Sequence, residues 1–178
     1  MTVVQHSSRS NNWGTPLDVV ESARVVLGSI DLDPASSKRW NKDIRASQIY
    51  TARDDGLTKP WRGSVFANPP GGRGGGIASL ALAFWLKLLE EIELGNCDHA
   101  IFVGFQIGIL QISQFSDVPG TACLDYPCCI PSKRLAFRDG DEGRRNQPAH
   151  ANAIIYIPGV QDASEVFRRE FRKFGRVA

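Results

Sequence analysis

Asn68-Pro69-Pro70 is the stretch of this chain best suited to chemistry. Neither proline has an N–H, and each ring fixes φ. The Pro69 carbonyl is therefore held in place, with the amide oxygen of Asn68 beside it. Together they offer two acceptors and no strong base. Such a pair suits a planar –NH2 group, whose two hydrogens it can bind. Those bonds favour a pyramidal nitrogen, whose lone pair then becomes available to an electrophile. An ordinary Asn-Pro turn is the competing reading of the tripeptide.

The surrounding pattern predicts where that turn sits. Ser64 to Ala67 reads as a strand running straight into Asn68. Ser29 to Asp33 reads as a second short strand, ended by Pro34 in the run Asp33-Pro34-Ala35-Ser36. Thr15 is a helix cap by type, with Pro16 suited to the first helical position and Asp18 three residues after the cap. Leu17, Val20, Ala23, Val26 and Leu27 then recur at helical spacing, which predicts a helix over 16–27. A weaker helix is expected over 38–46, and Asp54-Asp55-Gly56 is a turn by composition. Residues 71–76 form a glycine-rich loop around Arg73. The longest helix is expected over 77–94, with Leu80, Phe84, Leu88 and Ile92 on one face. Further strands are expected over 100–105, 127–137 and 151–157, with a charged loop at 138–149 and a basic terminal helix over 163–174. This order predicts an α/β fold: a mostly parallel sheet with helices on both faces. Ligands bind such sheets beyond the carboxyl ends of the strands. Asp33 to Ser36 and Asn68 to Pro70 both fall at such ends.

Composition sets the outer limits. The chain has 178 residues, 42% of them apolar and 22% charged, which is the make-up of a globular domain. Residues 1–12 are polar and expected to be flexible, leaving 13–178 as one domain. No apolar run approaches the roughly 20 residues that span a bilayer. The first residues lack a basic segment followed by an apolar one, so a soluble intracellular protein is expected. The four cysteines, at 97, 123, 128 and 129, should then stay reduced. A zinc site from Cys123, Cys128, Cys129 and a histidine matches no standard ligand spacing. Small buried core residues are the better reading, and no metal is expected. The formal charge of +2 does not announce a nucleic-acid partner. Residues 133–178, however, carry ten Lys/Arg and six Asp/Glu, a net of +4.

Four segments together resemble a known family. Trp13-Gly14-Thr15-Pro16, Asp31-Leu32-Asp33-Pro34-Ala35-Ser36, Tyr50 through Asp54-Asp55-Gly56-Leu57 to Trp61, and Phe66-Ala67-Asn68-Pro69-Pro70 stand in the order and spacing of the small phage and prophage Dam-like DNA adenine-N6 methyltransferases. These use S-adenosylmethionine and have a Rossmann-like methyltransferase sheet. The resemblance runs from residue 13 to about 157, its specific part ending near 105.

The resemblance implies roles. Asn68, Pro69 and Pro70 would be catalytic, holding the target amine in line with the methyl group. Trp13 would belong to the cofactor-contacting motif, with Thr15 and Pro16 touching the amino-acid end of the cofactor. Asp33, Pro34, Ala35 and Ser36 would line its methionine portion. Asp54 or Asp55 would accept from its adenine amino group, with Leu57 packing nearby. The substrate would be an adenine base flipped out of DNA, in host cytoplasm. Two positions depart from the family. Gly71 stands where an aromatic residue normally stacks on the base; Phe66, Trp85 and Trp61 are candidates to substitute for it, and a divergent substrate or a lost activity stays open. Ser36-Ser37-Lys38-Arg39 stands where the family has Gly-x-Gly. No separate target-recognition domain is expected, so sequence reading would fall to loops 71–76, 106–120 and 138–149. Two other readings stay open. One is the same fold with another planar-amine acceptor: cytosine, RNA adenine or glutamine. The other is a non-catalytic nucleic-acid- or partner-binding module on a decayed methyltransferase fold.

Overall fold

The structure, a computed structural model, describes residues 13–73, 79–139 and 150–178. The expectations for segment 1–12, for most of the glycine loop and for nearly all of the 138–149 loop lie outside the described residues.

The chain opens with a two-residue strand, β1 (Trp13–Gly14), and α1 (Leu17–Leu27). Next come β2 (Leu32–Asp33), the single turn α2 (Asn41–Ile44) and β3 (Gln48–Ile49). The centre is built from β4 (Gly63–Ala67), α3 (Leu80–Glu93) and β5 (Cys97–Gly104). After α4 (Ile109–Ile112) the order is β6 (Cys128–Pro131), β7 (Arg138–Asp139), β8 (Ala153–Pro158), α5 (Ser164–Phe171) and β9 (Gly175–Val177).

Seven of these strands make one sheet in the order β3-β2-β4-β5-β8-β6-β9. The pairings β3-β2, β2-β4 and β4-β5 are parallel. The pairings β5-β8, β8-β6 and β6-β9 are antiparallel. The expected mostly parallel sheet is thus corrected to a mixed one. The reason lies in the connections. Parallel neighbours need a crossover of a dozen or more residues, usually a helix. Between β5 and β8 the longest described helix is the four-residue α4, so the chain returns in the antiparallel sense. Three strands were also not anticipated. β9 is three residues long, too short for periodicity to register. β1 and β7 pair antiparallel in a separate two-stranded ribbon. The strand expected over 127–137 stops at Pro131, which has no N–H for the ladder.

Side chains alternate across the sheet, as the two-residue period demands. Phe66, Ile101, Val103, Ile154 and Tyr156 face α1 and α5, packing with Val19, Val20, Ala23, Phe167 and Phe171. Val65, Ala67, Ala100, Phe102 and Ile155 face the other side, against Phe84, Trp85 and Leu88 of α3. Helices on both faces are therefore observed. Cys128 and Cys129 belong to opposite faces, so the vicinal pair cannot converge on one ion. All four cysteines are buried, and burial pushes their thiols up to about 11 for Cys128 and about 12 for the other three. Among the described residues no helix is long and apolar enough to cross a membrane.

α5 and β9 close the sheet through aromatic stacking. Phe167 and Phe171 are stacked with ring centroids 4.5 Å apart, and both are fully buried. Phe171→Ala should therefore cost about 3–5 kcal/mol of unfolding free energy in a urea titration. A loss under about 1 kcal/mol would show that this corner is not part of the cooperative core.

Candidate functional site

The carboxyl ends of β2, β4 and β5 lie along one edge of the parallel half of the sheet. Asn68 follows β4 there, and Pro34 follows β2. Asn68 is half-buried and Pro69 buried. The Asn68 side chain donates through Nδ2 to the Trp13 carbonyl at 3.3 Å and to Thr15 Oγ1 at 3.0 Å. A backbone carbonyl only accepts. The NH2 end of the amide must therefore face β1, which leaves Oδ1 as the acceptor at the other end. Among the described residues, a Cβ built on Gly71 meets nothing within 4 Å, at the end of the Asn-Pro-Pro turn.

Thr15 does not cap α1 as its type suggests. Pro16 occupies the cap position without a side-chain hydrogen bond, and Asp18 Oδ1 instead accepts from Val19 N at 3.0 Å. The Thr15 hydroxyl is engaged by Asn68 rather than by the helix. Its carbonyl accepts from Arg138 at 3.3 Å, and the same guanidinium nitrogen donates to Asp43 Oδ2 at 2.6 Å. Arg138 also lies over the Trp40 ring, 5.1 Å from its centroid. Gly14 packs against that ring so closely that a Cβ would come within 2.4 Å of it. The ribbon of β1 and β7 thus clamps the Asn68 partners from outside the sheet.

The second and third motifs meet at the neighbouring strand end. Asp33 is buried, and its Oδ1 accepts from Ala35 N at 3.1 Å. Burial pushes its carboxyl up to about 7, against the opposing pull of the Ser36 hydroxyl and the Ala35 N–H. The Ser36 hydroxyl is near enough to that carboxyl to act on it, but its buried Oγ completes no hydrogen bond of normal geometry among the described residues. Ser36 N donates to the Tyr50 carbonyl, and Tyr50 Oη to the Pro60 carbonyl at 2.8 Å. Gly56 lies against Pro34, where a Cβ would come 2.0 Å from the Pro34 oxygen. Trp61 Nε1 donates to the Gly56 carbonyl at 2.8 Å. Leu57 and Ala35 are both half-buried against the α3 side of the core.

Asp54 and Asp55 are exposed and serve their own turn. Asp54 Oδ2 accepts from Thr51 N at 2.8 Å and Thr51 Oγ1 at 2.7 Å, which holds its carboxyl below the usual range. Asp55 Oδ1 accepts from Leu57 N at 3.3 Å, with Asp55 in the left-handed region at φ 53°. One oxygen of each carboxylate is committed in this way. Phe66, Trp61 and Trp85 are fully buried, so none of them can offer a ring face to a ligand; that expectation is corrected. The half-buried aromatics at this edge are Trp13 and Phe105, 6.3 Å apart. Phe105 follows β5, and its carbonyl accepts from Asn152 Nδ2 at 2.7 Å. His150 is exposed.

Sequence reasoning missed Arg138, Asp43, Trp40 and Asn152. Arg138 stood inside a run of loop charges with nothing to distinguish it. Asn152 carried a weak signal, a polar residue directly before an apolar run. It is buried, and its Oδ1 accepts from Leu135 N at 3.0 Å. No protein-family model, curated protein or solved structure matches the chain.

Two measurements check this geometry. A carboxyl that titrates near 7 when folded and near 3.8 when free holds its proton only in the folded state between those values. Folding stability then falls as pH rises from about 4 to about 7 and is level above that. The unfolding free energy of the wild type, relative to Asp33→Asn, should drop by roughly 4 kcal/mol between pH 4 and pH 8. A pH-independent difference would show Asp33 to be solvated. Gly56→Ala should cost about 1–3 kcal/mol by overpacking against the Pro34 backbone, read from the shift of the urea midpoint. An unshifted midpoint would mean that the two loops do not touch.

Proposed function

We propose that this chain is an S-adenosylmethionine-dependent methyltransferase acting on the exocyclic amino group of adenine in DNA. The carrying observation is the Asn68 amide, turned so that its nitrogen is held by Trp13 and Thr15. Oδ1 and the Pro69 carbonyl then remain to accept two hydrogens from a planar amine. Among the described residues nothing crowds the position of Gly71 beside them.

The cofactor fits the residues at the end of β2. The buried Ser36 Oγ lacks a partner, and the Asp33 carboxyl is poised near neutrality. S-adenosylmethionine would supply an electrophilic methyl on sulfur, and its methionine portion carries an ammonium group. Asp33, Pro34, Ala35 and Ser36 would hold that portion. An ammonium group beside Asp33 favours the ionised carboxylate, and the Ser36 hydroxyl gains a partner. Pro16 and the Thr15 backbone would bound the amino-acid end. Asp54 or Asp55 would accept from the cofactor's adenine amino group through the oxygen not used in the turn, with Leu57 packing nearby. Trp13 or Phe105 would take the stacking role that Gly71 lacks. Alignment of amine and methyl, together with fixed acceptors, carries the rate in this reading, and no proton-abstracting base is needed.

Two fixed acceptors suit any planar amine, so cytosine, RNA adenine and glutamine are tested alongside. Labelled methyl transfer to unmodified duplex DNA, followed by nucleoside analysis, should yield N6-methyladenine. Label only in cytosine, RNA or protein would reassign the acceptor, and no label with any of them would refute the enzyme reading. Asn68→Ala should lower turnover at least 100-fold while calorimetry shows nearly unchanged cofactor affinity. Thr15→Val should lower turnover about 10-fold at saturating substrate, with Thr15→Ser restoring it. Normal turnover in Thr15→Val would mean that the amide is oriented without the hydroxyl.

A further inference from the structure

Strand directions bring a set of cations to the same end of the sheet as Asn68. β5 is parallel to β4, so Gly104 lies at the Asn68 end. β8 is antiparallel and starts there, with Ala153 opposite Gly104. β6 runs back towards that end and stops at Pro131, opposite Gly175 of β9. Ser132 N and Oγ both donate to the Phe174 carbonyl, at 2.9 and 3.1 Å. Residues 132–134 are thereby tied to the end of α5. Lys133 and Arg134 follow on one segment, Arg172 and Lys173 on the other, and all four are exposed. Neither 131–138 nor 171–178 contains an acid. Among the described residues, Glu170, 22% exposed, is an acidic neighbour, 3.8 Å from Lys173.

A basic helix by itself is usually a solvated surface. Here two segments some 40 positions apart in the chain converge with the same sign of charge, at the edge that carries the site. Their distance from Asn68 also has meaning. β6 and β9 stand three and four strands from β4, or about 14–19 Å at the usual strand spacing. Phosphates on one strand of B-DNA are about 3.4 Å apart. The cations therefore stand four to six nucleotides, by rough count, from a base held at Asn68.

We propose that Lys133, Arg134, Arg172 and Lys173 form a surface for the phosphate backbone of duplex DNA flanking the extruded base. This rests on the reading that the amine acceptor is a nucleobase in DNA. Phosphate contacts position a duplex and carry no sequence information. The surface therefore supplies affinity and register, and the base site supplies selectivity.

The test is binding of the full chain to a labelled 20-base-pair duplex, by anisotropy, over a range of salt concentrations. The quadruple variant Lys133→Ala/Arg134→Ala/Arg172→Ala/Lys173→Ala should reduce the slope of log affinity against log salt by about 3 to 4. At low salt it should weaken binding at least 30-fold, equally for a duplex with adenine and one of G·C pairs only. The two pairwise variants should each take about half of the slope. Arg62→Ala, an exposed cation at the amino end of β4, should leave it unchanged. Circular dichroism melting reports whether each variant is folded. A folded quadruple variant with the wild-type slope overturns the proposal, as does a wild type with no salt-dependent affinity for duplex. The outcome is separable from the enzyme reading. Slope loss without any methylated product keeps the surface and refutes the enzyme; methylated adenine with an unchanged slope does the reverse.

Discussion

The hydrogen bond from Asn68 Nδ2 to the Trp13 carbonyl is the constraint on which the site depends. A carbonyl has no proton to give, so only one end of the amide can face it. That single donor–acceptor rule decides which atom of Asn68 is presented outward. The bond joins residues 55 positions apart, and it holds only while β1 stays beside the carboxyl end of β4. Three contacts keep it there: the pairing of β1 with β7, the guanidinium of Arg138 on the Thr15 carbonyl, and the Trp40 ring under Gly14. A net hydrogen bond of this kind contributes about 1 kcal/mol to stability. Its larger consequence is orientation.

At the adjacent strand end the structure carries unfavourable features close together. A buried carboxyl and a buried hydroxyl without a partner each raise the free energy of the folded chain. Asp33 and Ser36 are held in this state by a close-fitting surround: Gly56 on Pro34, Trp61 on Gly56 and Tyr50 on Ser36. Both groups stand at the edge beyond the strand ends where ligands bind sheets of this kind.

The antiparallel half of the sheet has a separate effect. Because β8 and β6 return without helical crossovers, the chain arrives at the site edge twice more, at 131–138 and at 150–153. It then arrives again at the end of α5. Buried Asn152 ties two of these arrivals together, accepting from Leu135 and donating to Phe105. A parallel arrangement would have sent some of these connections to the opposite end. The mixed topology thus concentrates loops, and the C-terminal charge, on one side.

Much of this was legible in the chain itself. Helical spacing from Leu17 to Leu27 and from Leu80 to Glu93 follows from burial of one face, and a local pattern suffices to show it. The Asn-Pro-Pro turn, the Asp33 turn and the Asp54-Asp55-Gly56 turn were equally local, because proline, glycine and Asx chemistry act within a few residues. The sequence by itself therefore determined the main helices, the helical layers on both faces and the turns at Asp33, Asp54-Asp55-Gly56 and Asn68-Pro69-Pro70. Tertiary structure alone decided which way the Asn68 amide faces, that Thr15 serves Asn68 rather than the helix, and that Phe66, Trp61 and Trp85 are sealed in the core. It also decided that Arg138 belongs to the site, and that half of the sheet runs antiparallel. Each of these depends on contacts between residues distant in the chain, and no local pattern of type and spacing encodes which distant group will stand opposite.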